Sequence, residues 1–444
     1  MATSPFGTEF TRSTSFLREP ISRRSFVTVA GSAAAAAALA SRSSGKSMSS
    51  ANKTAITFQI AGASPQVMSF FNNTVLPRFA RKHPNTKVNI SNVSWADAGT
   101  KLQTGAVAHT NPDLFVIGST TQPALSKLHA LKSLSKFSKD WTEFPQLNAA
   151  AVNNCKTAGN LEAIPFTLDV RGVVYNEAML QKAGIPAPPT TWDEYRTAAA
   201  RLVQNSGGQM TVEGADWAID DSYGLAQTFY LLLVEAGGKL FSEPKESSFS
   251  ANSPEGLRAL DYLVSFYAKK LSSPNFKVVA SSPPPIALGQ SAMEINNIGA
   301  ITQASAAVGP SLKLAAPLKM KGSSTPVGLQ FVNRIGMSAD TKNAEPAWEF
   351  LEFLFTPDII AKWNALLGQV PPLPSATKIA PFTTGAYHQA ALNATYAKAI
   401  PAVTQSPEIM TEMTRLVGSA IYQQTSPKDA LQQMQASVNQ LLRA

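Results

Sequence analysis

The chain has 444 residues, 44% hydrophobic and 15% charged, with 26 Gly, 30 Pro and a net charge of +9. That apolar fraction excludes a disordered or collagen-like chain, and the length predicts two or three domains with sizeable cores. One cysteine, Cys155, excludes an internal disulfide framework, and four scattered histidines (His83, His109, His129, His388) without an i,i+4 pair speak against a histidine metal site. The charge is unevenly placed: residues 1–53 carry +5 of it and the remaining chain only +4, with no basic run or basic-aromatic stripe. Nucleic acid, which calls for clustered Lys and Arg, is therefore not an expected partner.

In chain order, Arg23-Arg24 precede an apolar, Ala-rich segment from Phe26 to Ala40 that ends in Ala38-Leu39-Ala40. The segment is short for a membrane span and its end is a small-x-small cleavage site. The arrangement resembles a twin-arginine export signal, the alternative being an ordinary secretory signal with two arginines. Residues 1–40 are read as that signal and 41–54 as a Ser-rich tether. No cysteine follows the apolar segment, so a free periplasmic protein rather than a lipoprotein is expected. No later stretch holds 18 consecutive apolar residues.

The spacing then predicts a strand at 55–60, a helix at 67–82 kinked at Pro77, a strand at 87–90, a helix at 96–107 and a buried strand at 113–117. This β-α-β-α-β order predicts a parallel sheet covered by helices, an α/β fold whose ligand lies beyond the carboxyl ends of the strands. Ser64, Thr120 and Thr121 fall in the loops at those ends. Further on, a Pro-containing crossing segment leads into a strand at 172–175. Thr191 is placed to cap a helix to Leu202, with Asp193 and Glu194 in its first turn. Helices are predicted at 223–236, closed by Gly237-Gly238, and at 254–270, 346–354, 357–367 and 427–442, with a strand at 292–296.

Catalytic motifs are absent: there is no Gly-x-Ser-x-Gly, His-Glu-x-x-His or Gly-x4-Gly-Lys-Ser/Thr. The acidic pairs Asp193-Glu194 and Asp220-Asp221 are sequence neighbours, which do not face each other as a glycosidase pair must. No enzyme activity and no cofactor are expected.

Six segments stand out in order: Leu161 to Asn176 (LEAIPFTLDVRGVVYN), Ala183-Gly184-Ile185-Pro186 with Pro188 to Glu194 (PPTTWDE), Ala292 to Asn296 (AMEIN), Ala316-Pro317-Leu318, Ala344 to Leu354 and Thr425 to Leu442. In this order they resemble segments of the maltose-binding-protein-like extracellular solute-binding proteins of ABC transporters. The resemblance implies a two-lobed, clam-shell periplasmic-binding-protein fold of the class II type. Its expected parts are 55–160 with about 315–370 in one lobe, and 161–314 with about 371–444 in the other. It implies a monomer that captures a mono- or oligosaccharide between the lobes and delivers it to membrane permease subunits.

The candidate ligand residues follow from it. Asp169 is expected to accept sugar hydroxyls, with Arg171 beside it; the alternative is a hinge pair. Gln227 and Tyr230 lie on the helix before Gly237-Gly238, where family members often place ligand groups; Tyr230 is read as a stacking platform, the alternative being a core aromatic. Asn296 and Asn297 follow the AMEIN strand, where many members carry a Trp and this chain does not. Gln330 follows Val327-Gly328-Leu329, read as a Gly-rich loop facing the cleft. Ser64, Thr120 and Thr121 complete the set, and Trp217 and Trp363 are possible stacking residues. The alternative cargo is another small polar solute. A polyamine is one; glycerol phosphate is another, for which Arg171 or Arg334 supplies the cation.

Overall fold

The structure is a computed structural model and describes residues 53–217, 223–242, 248–274, 283–320 and 322–443. The expected export signal and nearly all of the tether lie outside the described residues, as does Asp220-Asp221.

Strands β1 (Thr54–Ala61), β2 (Thr86–Val93) and β3 (Leu114–Ile117) form where alternating or continuous apolar residues predict them, and β1 pairs in parallel with both neighbours. The helix between β1 and β2 runs from Pro65 to Lys82 without a break. Pro77 has no N–H to give, and the turn before it widens: the Leu76 N–H reaches back five residues to the Phe71 carbonyl. A tight hairpin, β4 (Lys156–Thr157) and β5 (Asn160–Leu161), precedes β6 (Ala163–Val170) and β7 (Gly172–Asn176). A second hairpin, β8 (Gln204–Ser206) and β9 (Gln209–Val212), is followed by β10 (Met293–Asn296), β11 (Leu312–Ala315), β12 (Gly328–Met337) and β13 (Ala397–Ala399).

The larger sheet has the order β13-β12-β3-β1-β2, with β6 paired antiparallel along β12. The smaller sheet is β10-β7-β11. Two hydrophobic clusters follow these sheets. The first is built on Ile56, Phe58, Val116, Val332, Phe350 and Trp363. The second is built on Tyr195, Trp217, Phe229, Phe266, Met413 and Leu431. The helix Trp192–Leu202 that covers the second cluster opens with Thr191 as the expected N-cap and completes a capping box, Thr191 and Glu194 each bonding the other's backbone.

Three of the places where the chain passes between clusters lie beside one another along β6–β7, β12 and 390–400. Val170 belongs to the first and Val173 to the second; Leu329 to the second and Val332 to the first; Ala390 to the first and Ile400 to the second. The expected segment bounds put 161–170 and 371–390 in the second lobe, but β6 is held by β12 and residues such as Leu373, Phe382 and Ala390 pack in the first cluster. At the first crossing Gly172 has no room for a side chain: a Cβ there would lie 2.4 Å from Asn393 Nδ2 and 2.6 Å from the Ala315 carbonyl.

Candidate functional site

A cleft of about 650 Å³ opens where the two clusters meet. Its walls are the first turns of the helix Trp95–Ala108, the β3 end with Gly118 to Thr121, the β6–β7 crossing, β12, and the segment from Ile400 to Met410. Its volume lies inside the range of small-molecule pockets, about 300–1,000 Å³.

Asp169 and Arg171 form its floor. Arg171 Nη2 donates to Asp169 Oδ2 at 3.3 Å, and the side chains are 21% and 13% exposed, Arg171 first. The guanidinium also sits 5.5 Å from the centre of the Phe331 ring, across the strand pair in which Phe331 faces Asp169. Behind this pair stand two asparagines. Arg171 Nη1 donates to Asn296 Oδ1, and Asn297 Nδ2 donates to Asp169 Oδ1 at 2.7 Å. Asn296 Nδ2 in turn donates to Glu294. Burial, then the charge of Asp216, pushes the Glu294 carboxyl up to about 8, against the opposing pull of Asn296 and Arg171. Burial raises Glu213 nearby as well, with Asp216 adding to it. Both carboxyls are thus shifted toward their neutral forms, and Asp169 and Arg171 offset each other's charge within the cleft.

Each expected site residue has a definite place. Asp169, Arg171, Gln227, Thr120 and Thr121 line the one cleft. Asn296 and Asn297 do not line it; they orient Arg171 and Asp169 from behind, and Asn297 Oδ1 also caps the short helix Ile298–Thr302. Three expectations are corrected. Tyr230 is 4% exposed in the second core, and its hydroxyl donates to the Ala399 carbonyl at 2.8 Å, so the ring has no face to offer a ligand. Gln330 is 2% exposed and lies inside β12, between Val170 and Ala399, because the expected Gly-rich loop is a strand. Ser64 caps the helix Pro65–Phe70 by accepting the Val67 N–H, which is turn chemistry. Trp217 and Trp363 are also core residues, at 2% and 0% exposure, Trp363 stacked on Phe166.

The most exposed aromatic lining the cleft is Trp95, which sequence reasoning passed over. It is 46% exposed at the first position of its helix, directly after the β2 end, with Ser94 as cap. Its ring lies over Gly62, where a Cβ would come within 2.3 Å of the indole, and Gly62 also holds φ +65°. The readable signal was a Trp immediately after a capping Ser at the carboxyl end of a parallel strand, the place where open α/β sheets bind ligands. Gln103, Asn333 and Gln369 add neutral amides to the walls. Among the described residues no group of three or more His, Cys, Asp or Glu is placed to hold a metal ion, and no helix is long and apolar enough to cross a membrane.

The family of bacterial extracellular solute-binding proteins matches residues 75–395, more than two thirds of the chain. The chain belongs to that family. This solute-binding protein is 24% identical over 333 residues to a binding protein of Brucella abortus, covering 73% of this chain and 77% of the relative. It is 30% identical over 159 residues to the diacetylchitobiose-binding protein of Streptomyces coelicolor, covering 35% of this chain and 34% of that one. In fold it is similar to an ABC transporter solute-binding protein of Thermotoga lettingae bound with α-D-tagatose. The TM-score is 0.76 at 22% identity, over 88% of this chain and 100% of that one. The fold of this solute-binding protein is thus the two-lobed α/β architecture, with its cleft at the crossing of the lobes.

Proposed function

We propose that this protein captures a neutral mono- or oligosaccharide in the interlobe cleft and hands it to the permease of an ABC importer, without covalent chemistry. One observation carries the reading: a charge-balanced cleft in which a half-exposed indole, Trp95, looks onto neutral amides and hydroxyls and a single carboxylate, Asp169. A sugar offers an apolar C–H face and a rim of hydroxyls. The indole covers the face, and the amides and Asp169 take the rim. Each neutral hydrogen bond adds only about 0.5–1.5 kcal/mol net, so several must act together in a cleft that excludes water. Closure at the β6–β7, β12 and 390–400 crossings supplies that exclusion, and the ligand shifts the population toward the closed form. The sugars named for the Streptomyces and Thermotoga proteins support the class. The apolar segment behind Arg23-Arg24 supports export to the periplasm by the twin-arginine route.

The test is a calorimetric screen of mono-, di- and oligosaccharides against the mature protein. Saturable binding of a neutral sugar, accompanied by a change in tryptophan fluorescence, is the expected result. Binding of polyamines or glycerol phosphate with no sugar bound overturns it.

A further inference from the structure

A second chamber of about 800 Å³ lies beside the cleft, and Ser119 lines both. One wall is 119–123 and 153–158 from the first lobe; the other is 401–405 and 442–443 from the second. Its lining contains three cations, Lys156, Arg334 and Arg443, and no Asp or Glu.

Arg334 is the unusual member. It is 1% exposed, and all five of its N–H groups are used. Nε and Nη2 donate to the Val332 carbonyl, Nη1 to Gln122 Oε1 and the Asn154 carbonyl, and Nη2 also to Asn154 Oδ1. Every one of these acceptors is neutral. Among the described residues no carboxylate pairs with it. The one titratable neighbour, Cys155, has its thiol pushed up to about 11 by burial and carries no negative charge at neutral pH. A buried cation is ordinarily paired, because its desolvation is costly. Here the geometry of the guanidinium is satisfied and its charge is not. Strand alternation puts Phe331 and Asn333 on the cleft face of β12 and Arg334 on the opposite face, where it lines the second chamber. The other two cations are accessible: Lys156 Nζ donates only to Asn153 Oδ1, and Arg443 is exposed on the opposite wall.

We propose that this chamber is an interlobe oxyanion site, in which Lys156 and Arg443 bind a phosphate or carboxylate group within the field of Arg334. The anion supplies the counter-charge that Arg334 lacks among the described residues. Since Lys156 and Arg443 stand on different lobes, a bound anion bridges them and favours the arrangement in which the walls face each other. Its binding is then coupled to that of the cleft ligand, reciprocally. The oxyanion is either free or carried on a larger solute.

Thermal unfolding of the mature protein distinguishes these. Inorganic phosphate and glucose 6-phosphate are compared with sodium chloride of equal ionic strength, in the protein and in the double variant Lys156→Gln/Arg443→Gln. Both substituted residues are exposed, so the variant should melt with the parent in chloride. A rise of about 2 °C or more with phosphate, lost in the variant, supports a site for a free anion. A rise with glucose 6-phosphate alone, lost in the variant, supports the same site with the anion carried on the solute. No rise with either, or a rise that survives in the variant, overturns the proposal. Failure here leaves the sugar reading intact, because neutral sugars are measured separately by calorimetry.

Discussion

The two chambers differ in what has been done with an arginine. Arg171, in the cleft, meets Asp169 and Asn296 and is neutralised; Arg334, beside it, meets only carbonyl and amide oxygens among the described residues. Both lie at the strand pair that joins the lobes. In the proposed function the paired arginine orients a carboxylate toward a neutral solute, whereas in the proposed second site the other makes its surroundings attractive to an anion. Hydrogen-bond satisfaction and charge compensation are separate requirements, and this protein meets them separately.

The comparison breaks first on stability. Arg334→Met leaves the acceptors of Gln122 and Asn154 buried and unpaired, and is expected to cost about 3 kcal/mol or more in urea unfolding. Arg171→Met, at a partly exposed site, should cost markedly less while abolishing sugar binding. Equal losses in the two variants would erase the distinction. Asp169→Ala should weaken the sugar by about 1.5–3 kcal/mol in calorimetry, roughly ten- to a hundredfold, with the urea midpoint close to that of the parent. An unchanged affinity removes Asp169 from the site.

The acids behind the cleft sharpen the comparison through pH. Glu294 binds its proton more tightly folded, up to about 8, than in the unfolded chain, where it has the ordinary carboxylate value. Between those values the native state holds more protons, so its stability falls as pH rises from about 4.5 to about 8 and changes little from this source outside that window. The slope from this one group is at most about 1.4 kcal/mol per pH unit. Glu294→Gln should flatten the dependence in thermal unfolding between pH 5 and 8; an unaltered slope shows that Glu294 does not set it. The smallest effect is expected of Trp95→Ala. Losing the stacking face should cost about 0.5–1.5 kcal/mol of sugar affinity beyond the lost area, and should remove most of the ligand-induced fluorescence change. A full fluorescence response in Trp95→Ala would place the contact at another tryptophan.

The regular parts of the fold were legible wherever one periodicity ran undisturbed. The β1–β3 alternation, the N-cap at Thr191 and the apolar stripe of the helix Pro254–Ala268 all announce themselves in the sequence. β12 did not. Its ten residues mix Gln330, Asn333 and Arg334 among apolar ones, because it has neighbours on both sides and a register shift between Asn333 and Arg334. With that strand unread, Gln330 looked like a loop residue and the pairing of β6 with β12 went unseen. Tyr230 misled for a related reason: on a helix buried nearly all round, an amphipathic pattern cannot separate a cleft-facing aromatic from a core one.

The amino-acid order alone determined the α/β alternation, the apolar segment behind paired arginines, the absence of a catalytic motif and the presence of Asp169, Arg171, Thr120, Thr121 and Gln227 near chain crossings and strand ends. Those are local properties, set by side-chain spacing and turn chemistry. Tertiary structure decided which of them share a cleft, that Asn296 and Asn297 stand one layer behind it, that Trp95 faces it, and that Arg334 is buried without a counter-charge. These depend on which strands pair and in what register, and pairing brings together residues more than 100 positions apart, such as Asp169 with Asn297 and Arg334 with Asn154.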